Sequence, residues 1–272
     1  MADNRPIGIF DSGLGGLTAA RAIMHSLPGE HICYLGDTGR VPYGSRSRET
    51  IEKYAQEDLA FLESLNIKAA VVACGTVSAV ALPALQGNYN MPIYGVLEPA
   101  VAAALQATKN GRVGVLGTEA TISSGAYEAL LREANADLQI VSKACPLFVP
   151  LVENGRVHQG DLVIETLVAE YLAPLKAADV DTVILGCTHY PLLEDVIGQF
   201  MGADVKLISS GAAVAEQVAK DLAGQDLLSD QNAHGTHRYF VTDSVSGFTK
   251  LASLFLQQDV SGEVTQVALT ND

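Results

Sequence analysis

Tryptophan is missing from this chain of 272 residues, and cysteine is sparse at four. Cys33, Cys74, Cys145 and Cys187 include no CxxC pair, which excludes a disulfide-stapled scaffold at this length. Basic residues are few as well: 17 Lys and Arg stand against 31 Asp and Glu, for a formal net charge of −14. A polyanion needs a basic face to neutralise its phosphates, so neither nucleic acid nor an anionic membrane surface is expected as a partner. No apolar run reaches the ~18 residues of a membrane-spanning helix. The opening stretch, MADNRPIGIFDSG, lacks the basic and long apolar regions of a secretory signal. These absences leave a reduced, cytoplasmic globular protein with free thiols as the expectation. A hydrophobic content of 48% and a mean hydropathy of +0.21 exclude a disordered chain. The length accommodates one large domain or two small ones.

Short β-branched runs alternate with longer Ala/Leu-rich segments of helical period, the signature of α/β architecture with a mostly parallel sheet. Strands are expected at residues 6–10, 31–36, 69–74 and 92–96, then again at 112–116, 138–143, 181–186 and 205–209. Helices are expected at 17–26, 49–66, 127–135 and 160–178. Continuous apolar runs such as AAVVAC and TVILGC fit strands buried on both faces. The two sets of strands follow the same order with the same kinds of loops. IGIFDSGLGGLTAARAI matches VGVLGTEATISSGAYEAL, AAVVACGT matches DTVILGCTH, and PIYGVLEPAVAAAL matches VKLISSGAAVAEQVA. This repeat predicts two similar, doubly wound parallel-sheet α/β domains related by a pseudo-twofold axis, with the active site in the cleft between them. The expected division gives residues 1–97 and 208–272 to the first domain and 98–207 to the second. No Gly/Ser- or Pro-rich linker separates them, so they should pack closely. Beyond the repeat, QDLLSDQNAHGTH reads as an exposed loop with His234 and His237 solvated, and RYFVTDSVSGFTKLASLFL as strand, turn and helix.

The repeat sorts the cysteines. Cys74 and Cys187 fall at matching places, each ending a buried strand and followed by a Thr and a helix, where ligand crevices open in parallel sheets. Backbone amides of a helix start also favour a thiolate there. Buried filler is the ordinary state of a free cysteine, and it suffices for Cys33 and Cys145. Two thiols on facing halves suit racemisation, in which one group removes a proton from one face of a carbon and another returns one to the opposite face. Asp11, in FDSG, and His189, two residues beyond Cys187, are candidate proton-handling neighbours; a helix cap and a backbone-bonded turn are their structural alternatives. Cys187 and His189 could supply two metal ligands, but the rest of a zinc site is lacking, so no metal is expected. DSGLGG matches neither phosphate-loop pattern. Ser12, the 42–44 turn (Pro42, Tyr43, Gly44), Thr76, the 117–121 turn and Thr188 offer neutral donors suited to a small acid with carboxylates.

Taken together, IGIFDSGLGGL, GDTGRVPYGSRS, VVACGT, GVLGTEAT, CPLFVPLVENG and LGCTHYPLL resemble the glutamate racemase family over nearly the whole chain. The resemblance implies a cofactor-independent enzyme that interconverts L- and D-glutamate and supplies D-glutamate for bacterial peptidoglycan. It further implies a cytoplasmic homodimer whose partner is a small-molecule substrate. By the same resemblance Cys74 and Cys187 are the catalytic bases, assisted by Asp11 and His189. Asp11, Ser12, Pro42, Tyr43, Gly44, Thr76, Thr118, Thr121 and Thr188 match substrate-surrounding positions, and Glu153 an acidic residue near the site. One position departs: the family reads Ala-Cys-Asn-Thr around the first thiol, and this chain has Gly75 where the Asn stands. Loss of a hydrogen bond to a charged group, worth ~1.5–3 kcal/mol, implies affinity lower by roughly ten- to a hundredfold, or a broadened substrate range. An aspartate racemase or another racemase of the same superfamily, and a small-acid binding protein with weakened catalysis, are the alternative readings.

Overall fold

A computed structural model describes residues 2–230, 234–260 and 264–269. Its strands are β1 (Ile7–Asp11), β2 (Ile32–Gly36), β3 (Ala69–Val72), β4 (Ile93–Gly95), β5 (Arg112–Gly117), β6 (Gln139–Ala144), β7 (Thr182–Leu185), β8 (Lys206–Ser209), β9 (His237–Val241) and β10 (Val264–Gln266). They build two parallel sheets, ordered β10-β9-β2-β1-β3-β4 and β6-β5-β7-β8. Two parallel-sheet α/β domains therefore stand as expected, and the shared order β2-β1-β3-β4 and β6-β5-β7-β8 carries the repeat. Register makes the equivalence residue by residue. Ile7 pairs with Ala69 as Val113 pairs with Thr182, which puts Cys74 and Cys187 five residues beyond equivalent points.

The helices are α1 (Leu17–Ser26), α2 (Arg48–Ser64), α3 (Gly75–Val80), α4 (Leu82–Leu85), α5 (Leu97–Ala107), α6 (Glu119–Ser123), α7 (Ala126–Ala134), α8 (Phe148–Glu153), α9 (Leu162–Ala177), α10 (Glu194–Met201), α11 (Ser210–Gly224) and α12 (Val245–Leu256). Their starts follow local capping chemistry. Ser47 accepts from the Thr50 amide at 3.3 Å, and Asp161 from the Val163 amide at 3.0 Å, which sets α2 and α9 one or two residues away from the expected starts. The expected strand at 69–74 ends earlier, at Val72, because Cys74 already caps α3. The thiol thus sits on the turn between strand and helix.

β3 and β7 are buried along their whole length, as strands covered on both faces must be. One apolar core, from Ile9 and Leu17 through Ala100 and Val113 to Leu185 and Val214, runs without a break from the first sheet to the second. A smaller core lies under α2, α3 and α4 on the other face of the first sheet. Two helices cross over: α5 follows β4 but packs on β7 and β8, and α11 follows β8 but packs on α1 and β4. The segment after the repeat folds as strand, turn and helix, and β9 pairs with β2 while β10 extends the edge. His237 is thus a half-buried residue of β9 rather than a solvated loop residue, because its backbone pairs with Ile32. His234 is exposed, and residues 231–233 of that loop lie outside the described residues. Among the described residues no helix is long and apolar enough to cross a membrane, and no cluster of three metal-ligating side chains occurs.

Candidate active site

The carboxyl ends of β1 and β3 face those of β5 and β7 across a cavity of about 460 Å³. Ser12, Pro42, Tyr43, Gly44, Cys74, Gly75, Thr76, Thr118, Glu153, Cys187, Thr188 and His189 all line it. Asp11 and Thr121, also expected here, are buried just behind the wall. Cys145, expected to be structural, lines the cavity together with Val149, Pro146 and Pro150 at the start of and along α8. Val149, Pro146 and Pro150 carry no polar signal from which a site wall could be read in the sequence.

The two thiols have different surroundings. Cys74, 5% exposed, donates to Ser12 Oγ at 3.5 Å. Burial, and then the nearby charge of Asp11, pushes its pKa up to about 12 against the pull of the Ser12 hydrogen bond. Asp11 makes no hydrogen bond to that sulfur. Its Oδ2 accepts from the Gly13 amide at 3.0 Å, and its Oδ1 accepts from Thr188 Oγ1 at 3.4 Å. Burial raises the Asp11 carboxyl, while the charge of His189 and the Gly16 and Gly13 amides oppose the shift. Cys187, 7% exposed, has its sulfur 3.9 Å from His189 Nδ1, and His189 Nε2 lies 3.0 Å from Glu153 Oε1. Burial alone would lower the imidazole pKa. The hydrogen bonds of Cys187 and Glu153, with the charges of Cys187 and Asp11, outweigh it and lift the ring to about 10. The ring meets Phe255 edge-on at 5.4 Å, which fixes its plane.

Further contacts, besides the Thr188–Asp11 hydrogen bond, tie the facing walls. Thr76 Oγ1 and Thr118 Oγ1 are 3.0 Å apart, and Thr121 Oγ1 is 3.0 Å behind Thr118. The Ala120 amide donates to the Gly44 carbonyl at 3.2 Å, and Thr18 Oγ1 donates to the Thr188 carbonyl at 2.9 Å. Thr121 therefore orients Thr118 from behind. The 42–44 turn is braced from below. Tyr43 donates its hydroxyl to Asp37 and, at 3.1 Å, to Asp58, while Arg40 pairs with Asp37, Asp58 and Glu57. The phenol is thus spent on this network, and Tyr43 gives the cavity its ring.

The Asp/Glu/Hydantoin racemase family matches this chain over residues 17–218, a span that contains both thiols. A glutamate racemase of Geobacter metallireducens is 47% identical over 265 residues, 97% of each chain. This chain belongs to the glutamate racemase family. Among solved members, a glutamate racemase isoform of Bacillus anthracis is 42% identical and superposes with a TM-score of 0.93, covering 98% of both chains. The glutamate racemase of Francisella tularensis, solved in complex with D-glutamate, is 36% identical with a TM-score of 0.90 over 98% of both chains. Both of these solved members thus superpose on the two-domain frame of this chain over nearly its whole length.

Proposed function

We propose that this chain interconverts L- and D-glutamate by proton transfer between two thiols, with Cys74 and Cys187 on opposite faces of the substrate α-carbon. The observation that carries the reading is the pair of cysteines at equivalent register positions, both lining one cavity between the sheets. A sulfur anion on one side takes the α-proton; the thiol on the other side gives its own proton to the opposite face of the carbanion. The enantiomer leaves with the two thiol roles exchanged, and the reverse reaction resets them. Cys74, with its pKa pushed up to about 12, rests as the thiol and serves first as acid. Protonated His189 faces the Cys187 sulfur and is a suitable partner for that sulfur as an anion. Ser12, Thr76, Thr118, Thr188 and the turn amides, with Gly75 beside them, surround the substrate and support charge that develops on its carboxylate. Pro42, Tyr43 and Gly44 close one end, and Thr121, Asp11 and Glu153 hold the groups that touch the substrate.

The division into residues 1–97 with 208–272, and 98–207, is supported at its first boundary by the passage of the chain from the first sheet to the second after β4; its second boundary falls within β8, a strand of the second sheet. The family resemblance extends the reading to a cytoplasmic homodimer supplying D-glutamate for peptidoglycan. The test is incubation of the purified protein with L- or D-glutamate in deuterated water, aspartate being run alongside. Loss of optical rotation with deuterium at the α-carbon is expected for glutamate, and Cys74→Ser and Cys187→Ser should each abolish it. Racemisation by either serine variant at the normal rate would sink the two-thiol assignment. Turnover of aspartate alone, or of neither acid, would move the chain to the rival readings.

A further inference from the structure

Gly75 sits between the first thiol and the facing wall. A Cβ built on it would collide with the carbonyl oxygen of Gly186 and lie 3.3 Å from that carbonyl carbon and 3.8 Å from the Cα of Cys187. An aliphatic carbon needs about 3.3–3.6 Å from a carbonyl oxygen even at a close contact. The room that a side chain would use is therefore filled by backbone from the opposite domain. Gly75 directly follows Cys74, and Gly186 directly precedes Cys187, so the two thiol-bearing turns bear on each other through this point.

From this contact we infer that Gly75 is the residue that sets the spacing of the two thiols. The inference rests on the two-thiol reading above and adds to it a determinant that belongs to this chain. With no side chain at 75, the domains close until the α3 start meets the Gly186 carbonyl. Any side chain there must push the turns apart by on the order of 1 Å, since backbone cannot yield as a flexible side chain can. The other close approaches at the cleft meet side chains instead of backbone. At Gly15 the obstructing atoms are Thr188 Oγ1 and the His189 ring, and at Gly44 a Cβ would stand 3.1 Å from Thr118 Cβ. The departure at 75 thus does more than delete an amide. It lets the two thiol-bearing turns meet backbone to backbone, with no room between them for a side chain that would touch substrate. Restoring Asn at this place cannot restore the contact without opening the site.

The experiment compares wild type with Gly75→Ala and Gly75→Asn by two readouts. Asn is the residue that the family carries here, so the second variant guards against loss of folding. In the racemisation assay kcat should fall by about 100-fold in both directions for Gly75→Ala, with KM moving less than about threefold, as expected when reacting groups are displaced by about 1 Å. Independently of turnover, alkylation of Cys74 and Cys187 by iodoacetamide, followed by peptide mass spectrometry, should speed up severalfold in both variants. Alkylation of Cys33, buried far from the cavity, should not change. Unchanged alkylation of Cys74 and Cys187, or wild-type kcat with a raised KM, overturns the inference in favour of a plain substrate contact. If wild type itself leaves glutamate unchanged, the functional reading falls while the alkylation arm still decides whether Gly75 sets the closure.

Discussion

His189 keeps its proton far above the usual imidazole range because two acceptors, the Cys187 sulfur and Glu153, bracket its ring nitrogens. Its folded pKa, about 10, lies above the ordinary value of 6.5. The proton is therefore bound more tightly in the folded state, and that stabilisation is complete below pH 6.5 and drains away as pH rises through 10. Thermal denaturation should show Tm falling between pH 7 and pH 10 in wild type, and falling less in His189→Asn. Parallel pH profiles for the two proteins would contradict the assignment. Cys74 and Cys187 were legible in sequence because the repeat marks them as equivalent, and Asp11 and His189 because a polar residue ends the first strand and another follows Cys187 on the same turn. Cys145 and Val149 were not, since an apolar wall residue and a core residue look alike until the chain is folded. Nor could sequence reveal that the Tyr43 hydroxyl is committed to Asp37 and Asp58, partners drawn from the β2 exit and from α2.

Elements with a full period of apolar residues, such as α2 and α9, emerged from pattern alone, and local caps account for their shifted ends. The short helices α6 and α8, of five and six residues, show too little of a helical period to be read. The pairing of β9 beside β2 is a contact between residues some two hundred positions apart, for which local pattern holds no information. A buried ion pair fastens this returning segment. Lys68, just ahead of β3, lies 2.6 Å from Glu30, ahead of β2, with both side chains fully buried. Its ammonium also donates to the Asp3 and Leu227 carbonyls at 2.7 Å and to Ser229 Oγ at 3.2 Å. Lys68→Met strands the Glu30 carboxylate in the interior and should cost about 3–5 kcal/mol in urea denaturation. The double variant Lys68→Met/Glu30→Gln should recover part of that loss. Additive losses would show that the two side chains are not coupled.

At the scale of the molecule, one unbroken apolar core joins the two sheets. Calorimetry should accordingly record a single unfolding transition; two resolved transitions would show that the domains melt independently. Glutamate binding across both walls should raise that transition. At a ligand concentration of 100 times Kd the gain is about 2.7 kcal/mol. The net charge of −14 leaves this expectation intact, because the hydroxyls of Ser12, Thr76, Thr118 and Thr188 in the cavity lining bring dipoles that a count of ionised side chains omits.

The crossing of α5 and α11 has a further consequence. Each sheet is covered in part by the helix that follows the other sheet's last strand. Cut at the end of α5, the first half would carry a helix with no sheet beneath it and a sheet without the cover of α11. A second copy of the same half could repair both defects at once, by reciprocal exchange about a twofold axis. The single chain thus has the form of a swapped dimer joined end to end, and the cavity between its sheets lies where two such halves would meet.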